Sequence, residues 1–221
     1  MRNILTVDGP SGVGKGTVAR AVAQKMGWHL LDSGAIYRAF ALAANSRGIN
    51  TENEQALAKL AQELDLDFIN DADNDLVSVY LDGKDVSNKI REEKTGDMAS
   101  RVASIGVVRE ALLKRQRAFA REPGLVADGR DMGTKVFINA KHKVYLTASA
   151  EERASRRLKQ LQQLGSEGIM SRILADVVAR DERDSSREHS PLVPAKDALI
   201  IDTTDLSIDE VVTKVMTLVE A

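Results

Sequence analysis

The chain has 221 residues, of which 43% are hydrophobic, and its 31 basic and 33 acidic residues give a net charge of −2. This length predicts one compact domain, residues 1–221, and a charge so close to zero excludes a broad basic surface for nucleic acid. The absence of cysteine excludes a disulfide framework and a cysteine-based zinc site. No signal peptide or long apolar span is apparent. We therefore expect a cytoplasmic protein with no membrane or nucleic-acid partner, and we expect a monomer.

Five short apolar runs, separated by helical patterns, have the composition of buried parallel strands. They cover residues 4–7, 29–31, 125–127, 144–147 and 199–201. Small or acidic residues follow each run, such as Asp8-Gly9 after the first and Asp128-Gly129 after the third. The alternation predicts an α/β fold with a five-stranded parallel sheet flanked by helices. Such a sheet binds its ligands across the carboxyl ends of the strands.

A glycine-rich loop follows the first strand directly and precedes a helical pattern. It consists of Gly9, Pro10, Ser11, Gly12, Val13, Gly14, Lys15, Gly16 and Thr17. Glycines let the backbone curl until successive N–H groups point at one anion, and the helix N-terminus adds partial positive charge. Lys15 supplies a full charge for the outer phosphates of a nucleoside triphosphate. The pattern predicts a phosphate-binding loop (P-loop) for a phosphate-rich nucleotide, rather than a chance glycine-rich turn.

Two stretches interrupt the alternation of strands and helices. Residues 63–95 contain short β-like runs, with turn signals at 71–75 and 82–84. They predict a small antiparallel β insertion, and an irregular surface excursion is the alternative. Residues 151–190 are highly charged and are divided by a glycine-containing segment, 165–168. They predict two helices that form a short lid, and an ordinary solvated pair of helices is the alternative.

Charged side chains follow the third strand, at the same sheet edge as the P-loop. Asp128 is placed to orient a hydrated magnesium ion, and Arg130 is placed to hold an anion. Asp131 is placed to accept a hydrogen bond from a base or a ribose. A strand-end turn with a local ion pair is the alternative, but two acids and one arginine at this edge favour a functional site.

The second half of the predicted lid carries a charged helix face. Arg180, Arg183, Asp184 and Arg187 fall on one side of a helix. Three guanidiniums around one carboxylate are typical of a phosphate clamp. A surface stripe of ion pairs, which contributes little stability, is the alternative. The neighbouring P-loop favours the clamp.

Other arginines and one serine are also candidate ligands. Ser33 follows the second strand, and a helix N-cap is the alternative role for it. Arg38 lies on the first turns of the helix that follows, where it could face an acceptor phosphate. Three arginines in the first half of the lid are candidate contacts for the triphosphate: Arg153, Arg156 and Arg157.

Five motifs occur together and in a fixed order. They cover residues 9–17, 31–38 (Leu-Asp-Ser-Gly-Ala-Ile-Tyr-Arg), 127–134 (Ala-Asp-Gly-Arg-Asp-Met-Gly-Thr), 180–184 (Arg-Asp-x-x-Asp) and 191–195 (Pro-Leu-Val-Pro-Ala). With them the chain resembles the bacterial cytidylate kinases from end to end. The resemblance implies phosphoryl transfer from ATP to CMP or dCMP, with Mg²⁺. It also implies a P-loop kinase core with a monophosphate-binding insertion and a short lid.

The resemblance also implies a role for each matching residue. Gly9 to Thr17 would cradle ATP, and Lys15, with the lid arginines, would screen the transferred group. The acceptor's phosphate would be held by Arg38, Arg130 and Arg187. The cytosine edge would be read by Ser100, Arg109 and Asp131. The sugar would contact Ser33, Arg180 and Asp184, and Tyr37 belongs to the same binding segment.

Two other functions compete with this interpretation. Another P-loop kinase could act on UMP, AMP, shikimate or a sugar acid. A nucleotide-dependent switch or nucleic-acid-remodelling ATPase is the alternative from a different class. A guanine-reading switch would carry Asn-Lys-x-Asp, but Asn88-Lys89 is followed by Ile90-Arg91.

Overall fold

The computed structural model describes residues 3–69, 78–163, 165 and 167–220. The strands are β1 (Ile4–Asp8), β2 (His29–Asp32), β3 (Leu66–Ile69), β4 (Ser78–Leu81), β5 (Lys84–Asp85), β6 (Leu125–Asp128), β7 (His142–Thr147) and β8 (Leu199–Asp202). The helices are α1 (Lys15–Met26), α2 (Ser33–Ser46), α3 (Glu54–Glu63), α4 (Glu93–Val102), α5 (Gly106–Arg117), α6 (Ala150–Gln163), α7 (Met170–Ser185) and α8 (Ile208–Glu220). A 3-10 turn covers Lys89–Arg91 and a π-helical turn covers Met132–Val136.

The chain divides into two compact units. The core unit comprises Met1–Leu31 and Arg117–Ala221, and the second unit comprises Asp32–Gln116. The predicted insertion, residues 63–95, lies inside the second unit, and the predicted lid, residues 151–190, lies inside the core unit. A single domain of residues 1–221 stays a prediction.

The five predicted strands form one parallel sheet in the order β2-β6-β1-β7-β8, which confirms that part of the fold prediction. The register places Val7 beside Asp128 on one side and beside Val144 on the other. The carboxyl ends of β1, β6 and β7 therefore lie at one edge, where the P-loop begins. Such continuous apolar runs are typical of parallel strands that are buried on both faces.

Helices α1 and α8 pack on one side of this sheet. Val18 and Val22 of α1 join Val211 and Val215 of α8 in the same buried cluster as the sheet residues. Helix α1 begins directly at the P-loop, since Gly14 caps it in a left-handed conformation. This packing fixes the helix N-terminus that a phosphate would meet.

The second unit contains the predicted antiparallel sheet. Strand β4 pairs with both β3 and β5, which confirms the β insertion. The β4–β5 turn is tight because Asp82 and Gly83 both have positive φ angles, 49° and 71°, the combination of a type I′ hairpin. The other predicted turn, residues 71–75, lies outside the described residues.

The alternative role of Ser33, as the N-cap of helix α2, is wrong. The cap is Asp32, whose carboxylate accepts a hydrogen bond from the Ala35 N–H at 2.9 Å. Asp32 still has the extended backbone of strand β2, whereas Ser33 is already helical. Only the Asp32 side chain is therefore placed to accept from an N–H of the first turn.

The predicted lid consists of two helices that pack on each other, α6 and α7. The segment between them contains Gly165, with a φ of 70°, and Gly168. A Cβ at Gly168 would lie 2.9 Å from the terminal Cδ1 atoms of Leu158 and Ile173, so these side chains would have to shift to accept a larger residue. No helix among the described residues is long and apolar enough to cross a membrane.

Candidate active site

The P-loop has a backbone that only glycines adopt easily. Gly9, Gly12 and Gly14 have φ angles of 145°, 84° and 90°, in a region that L side chains rarely occupy. A Cβ at Gly9 would also lie 2.1 Å from the Leu146 carbonyl oxygen. The loop is therefore pressed against strand β7, with the curled backbone that the sequence predicted.

Lys15 occupies the first position of α1 and is only 8% exposed. Its Nζ donates to the Pro10 carbonyl at 2.7 Å, so the ammonium group bends over the loop. Burial lowers the pKa of Lys15 to about 8, and the negative charge of Asp128 opposes this shift. The positive charges of Arg130 and Arg180 lower this pKa further. The positive charges of Lys15, Arg130 and Arg180 therefore act on one another. An anionic ligand at this place would stabilise the charged forms of these side chains.

Two side chains from outside the loop donate hydrogen bonds to its backbone carbonyls. Arg153 donates to the Ser11 carbonyl at 3.2 Å and pairs with both carboxylate oxygens of Asp181, at 3.0 and 2.5 Å. Thr203 donates to the Val13 carbonyl at 3.3 Å. The structure therefore uses Arg153 to join the P-loop to helix α7. Direct binding of ATP by Arg153 or Arg157 stays a prediction.

Asp184 links two of the predicted phosphate-binding arginines. It accepts from the Arg130 Nε and from the Arg187 guanidinium. The carboxylate is only 1% exposed, so the surface ion-pair stripe that was the alternative for this helix face is wrong at Asp184. Burial lowers the pKa of Arg130, and the charges of Asp128, Asp181 and Asp131 oppose that shift. The two guanidiniums are held as one cationic group at the carboxyl edge of the sheet.

The remaining predicted acceptor ligands lie in the second unit. The Arg38 guanidinium donates to the Ile90 carbonyl at 2.8 Å. Arg109 donates to the Ala103 carbonyl at 2.9 Å, and its guanidinium lies 5.5 Å from the centre of the Tyr37 ring, within cation–π range. These contacts bring Tyr37 and Arg109 together within the unit.

Two predicted ligands of the second unit are buried serines. Ser33 donates to the Gln116 side chain at 3.0 Å, and Ser100 lies on the buried side of α4. The predicted acceptor ligands are thus divided between the two units. Their common role stays a prediction.

Sequence reasoning missed two residues that contact predicted ligands or their segments. Gly96, in α4, lies under Arg38: a Cβ there would be 3.1 Å from both terminal guanidinium nitrogens. Asp8, at the end of β1, binds the backbone of the turn that follows Arg130 and Asp131. A glycine in a helix interior is a signal, because it costs about 1 kcal/mol relative to alanine. The sequence shows that Asp8 is an acidic residue at a strand end. It does not show that Asp8 binds the Met132 and Gly133 N–H groups.

A cleft of about 610 Å³ opens on the outer side of the P-loop. Its walls come from the loop, helix α6 and the segment between β8 and α8. The lining residues are Gly12, Gly14, Thr17, Glu152, Arg156, Lys159, Gln160 and Thr204–Ile208. Arg156 is held there by its bond to the Thr203 carbonyl, at 2.6 Å. The cleft is large enough for a nucleoside next to the phosphate loop.

A family model described as cytidylate kinase matches residues 5–221. The chain belongs to the cytidylate kinase family. A cytidylate kinase of Vibrio vulnificus (strain YJ016) is 56% identical over 218 residues, which cover 99% of this chain and 96% of that protein. A cytidylate kinase of Shewanella loihica (strain ATCC BAA-1088 / PV-4) is 57% identical over 209 residues, covering 95% and 90%. The resemblance inferred from the motifs is confirmed, and the chain is a nucleotide-binding phosphotransferase.

The fold also resembles that of a solved structure with little sequence similarity. An uncharacterized protein from Eubacterium ventriosum ATCC 27560 has a TM-score of 0.51 and 13% identity, with 100% of this chain and 99% of that chain covered. At this identity the likeness concerns the fold alone.

Asp128 is the candidate ligand for the Mg²⁺ that the motifs imply. Within the described ranges, no three acidic or histidine side chains form a cluster that could hold a metal ion by themselves. Asp128 is buried, and one of its oxygens lies 3.4 Å from the position of a Cβ on Gly16. Magnesium commonly keeps several waters and uses one or two carboxylates plus substrate phosphates. The Asp128 carboxylate beside the loop therefore fits a hydrated Mg²⁺.

Proposed function

We propose that this protein transfers the γ-phosphoryl group of ATP to CMP or dCMP, giving ADP and CDP or dCDP. Membership of the cytidylate kinase family over residues 5–221 supports the reaction. The observation that carries it is the arrangement in the core unit: the buried Lys15 bonds to Pro10 of the P-loop, and Arg130, after the neighbouring strand β6, is joined to Arg187 through Asp184. A cationic edge of this kind suits two substrates that are both phosphate anions.

ATP is the phosphoryl donor in this proposal. Its phosphates would lie in the loop from Gly9 to Thr17, with Lys15 at the outer phosphates, and its nucleoside in the adjacent cleft of about 610 Å³. Asp128 would hold Mg²⁺ through water. The bound ion supplies neutralisation of the phosphate charge and orientation of the triphosphate.

CMP or dCMP is the acceptor. Arg130 and Arg187, joined through Asp184, would bind its phosphate together with Arg38. Asp131 would accept a hydrogen bond from the cytosine amine, and Ser100 and Arg109 would donate to the ring acceptors. Uracil reverses both patterns and would leave buried groups unpaired, at about 1–3 kcal/mol for each group. The Arg109 guanidinium lies over the Tyr37 ring. The sugar would contact Ser33, Arg180 and Asp184.

The reaction requires no general base, because the attacking phosphate oxygen of the acceptor is already ionised at neutral pH. Catalysis would come from alignment of the two phosphates and from the cations around the transferred group. Closure of α6 and α7 over the donor would exclude water and limit ATP hydrolysis. A role in pyrimidine nucleotide metabolism, a cytoplasmic location and a monomeric state stay predictions.

Acceptor profiling tests this function. The purified protein is incubated with ATP, Mg²⁺ and one acceptor at a time, and ADP release is measured with CMP, dCMP, UMP, AMP, shikimate and a sugar acid. The highest kcat/KM is expected for CMP or dCMP. Lys15→Ala protein purified in the same way controls for contaminating kinases. A preference for UMP, AMP or a non-nucleotide acceptor would overturn the proposal.

A further inference from the structure

Asp8 makes two backbone hydrogen bonds across the core unit. It is the last residue of β1 and is only 4% exposed. Its Oδ1 accepts from the Met132 N–H and its Oδ2 accepts from the Gly133 N–H, each at 2.8 Å. Both oxygens are thus committed to one short segment that is far away in sequence.

This segment is the π-helical turn Met132–Val136, which follows Arg130 and Asp131 directly. The first N–H groups of a helical turn have no partner within the turn and need an acceptor from elsewhere. Asp131 precedes the turn, but its side chain does not cap it. Asp8 therefore takes the capping role from a neighbouring strand, which leaves the Asp131 carboxylate outside the cap.

The turn is also pressed tightly onto β1. A Cβ at Gly133 would lie 2.9 Å from the Thr6 hydroxyl, 3.2 Å from the Lys143 Cδ and 3.4 Å from the Asp8 carboxylate. Thr6 and Asp8 point to the same face of the sheet because they are two residues apart on one strand. The Asp8 carboxylate and the lack of a side chain at Gly133 together set the distance between the turn and the sheet.

We propose that Asp8 is a positioning residue that sets Arg130 and Asp131 relative to the P-loop, by holding the turn that follows them. Asp8 is suited to this because Gly9, the first residue of the P-loop, comes next in the chain. One residue thus joins the loop proposed for ATP to the segment proposed for the acceptor. This inference rests on the proposed function, since the role of Arg130 and Asp131 toward CMP belongs to that proposal.

The P-loop itself does not depend on Asp8 alone. Lys15 bonds to Pro10, Arg153 bonds to Ser11, and Thr203 bonds to Val13. Weakening the Asp8 contacts should therefore move the acceptor side of the site and leave the donor side in place. This asymmetry separates positioning from a general loss of structure.

The test compares Asp8→Asn with Thr6→Val by steady-state kinetics at about pH 8, above the raised Asp8 pKa of about 7, so that Asp8 is ionised. Asparagine keeps one acceptor oxygen but presents an amide N–H₂ to the second backbone N–H. Thr6→Val is the matched control, because the buried Thr6 hydroxyl has no hydrogen-bond partner in the part of the chain that the structure describes and valine keeps its shape. We expect Asp8→Asn to raise the KM for CMP about tenfold or more and to change the KM for ATP less than about twofold. Thr6→Val should leave both KM values unchanged.

Amide hydrogen exchange supplies a readout in the absence of substrate. Exchange at Met132 and Gly133 should accelerate in Asp8→Asn and not in Thr6→Val. If Asp8→Asn does not fold, Asp8→Glu keeps the charge with a longer side chain and should show the same selective rise in the KM for CMP.

Three outcomes decide the inference. A selective rise in the KM for CMP, with faster exchange at the two amides, supports it. Equal rises in the KM for CMP and ATP, or an unchanged KM for CMP, would overturn it. If the wild-type protein does not phosphorylate CMP, the proposed function fails instead. Slower exchange at the Met132 and Gly133 amides in the wild type than in Asp8→Asn would still show that Asp8 holds the turn.

Discussion

Arg130 forms an ion pair with the buried Asp184, and the pair joins the turn after β6 to helix α7. Asp184 also binds Arg187 and is 1% exposed. An uncharged residue at this position would remove the carboxylate that the two guanidiniums share. The pair is therefore a structural requirement for the proposed phosphate clamp.

Asp184→Asn should lower both stability and acceptor binding. Breaking a buried ion pair from one side costs about 3 kcal/mol or more, so we expect the free energy of unfolding to fall by about that amount. The KM for CMP should also rise. Urea denaturation and kinetics measure both effects. Glu182→Gln, an exposed change on the same helix, is the control, and equal stability of the two variants would contradict the prediction.

Lys15→Ala should abolish turnover without unfolding the protein. Removal of a preorganised cation from the transferred phosphates should reduce kcat at least about 100-fold. The fold should persist because removal of a buried ammonium group also removes its desolvation cost. Steady-state assays and thermal unfolding test this. Lys25→Ala removes the same charge from the exposed end of α1 and should retain activity; an active Lys15→Ala enzyme would show that the loop assignment is wrong.

Gly96→Ala should weaken acceptor binding without lowering stability. Alanine is the better helix former by about 1 kcal/mol, but its Cβ would lie 3.1 Å from the Arg38 guanidinium nitrogens. Arg38 is also bonded to the Ile90 carbonyl, so it must shift away from its present position. We expect the KM for CMP to rise about fivefold with an unchanged KM for ATP. An unchanged KM for CMP would remove Gly96 from the site.

Asp131→Ala should reduce discrimination between CMP and UMP. Loss of the acceptor for the cytosine amine should lower the ratio of the two kcat/KM values about tenfold. ATP affinity, measured by calorimetric titration, should change little. Equal losses of affinity for ATP and CMP would count against base recognition by Asp131.

Stability should depend on pH through Asp8. Burial raises the pKa of Asp8 from 3.8 to about 7, although the bonds from Gly133 and Met132 oppose the shift. Between these values the folded protein holds a proton that the unfolded chain has released, so stability falls as pH rises through about 7. The difference in unfolding free energy between wild type and Asp8→Asn should therefore decrease by about 2 kcal/mol from about pH 5 to about pH 8. Urea denaturation at both pH values measures it, and parallel pH dependence of the two proteins would contradict the assignment.

The sheet and the P-loop could be predicted because their signals are local. Each buried strand is a continuous apolar run, and each curled position of the loop is a glycine whose φ angle no other residue adopts easily. The β4–β5 turn was predictable for the same reason, since Asp82 and Gly83 carry its geometry themselves. Ser33 is not the cap because strand β2 ends at Asp32, one residue later than the sequence indicated, and Asp32 therefore holds the capping position.

The sequence by itself determined the order of strands and helices, the P-loop and the family, because these depend on spacings within a few residues. Only the tertiary structure decided which side chains meet. Asp8 lies 124 residues from Met132, and Arg130 lies 54 residues from Asp184. Such pairs depend on strand register and helix packing, which bring distant segments together and have no signal in either segment alone.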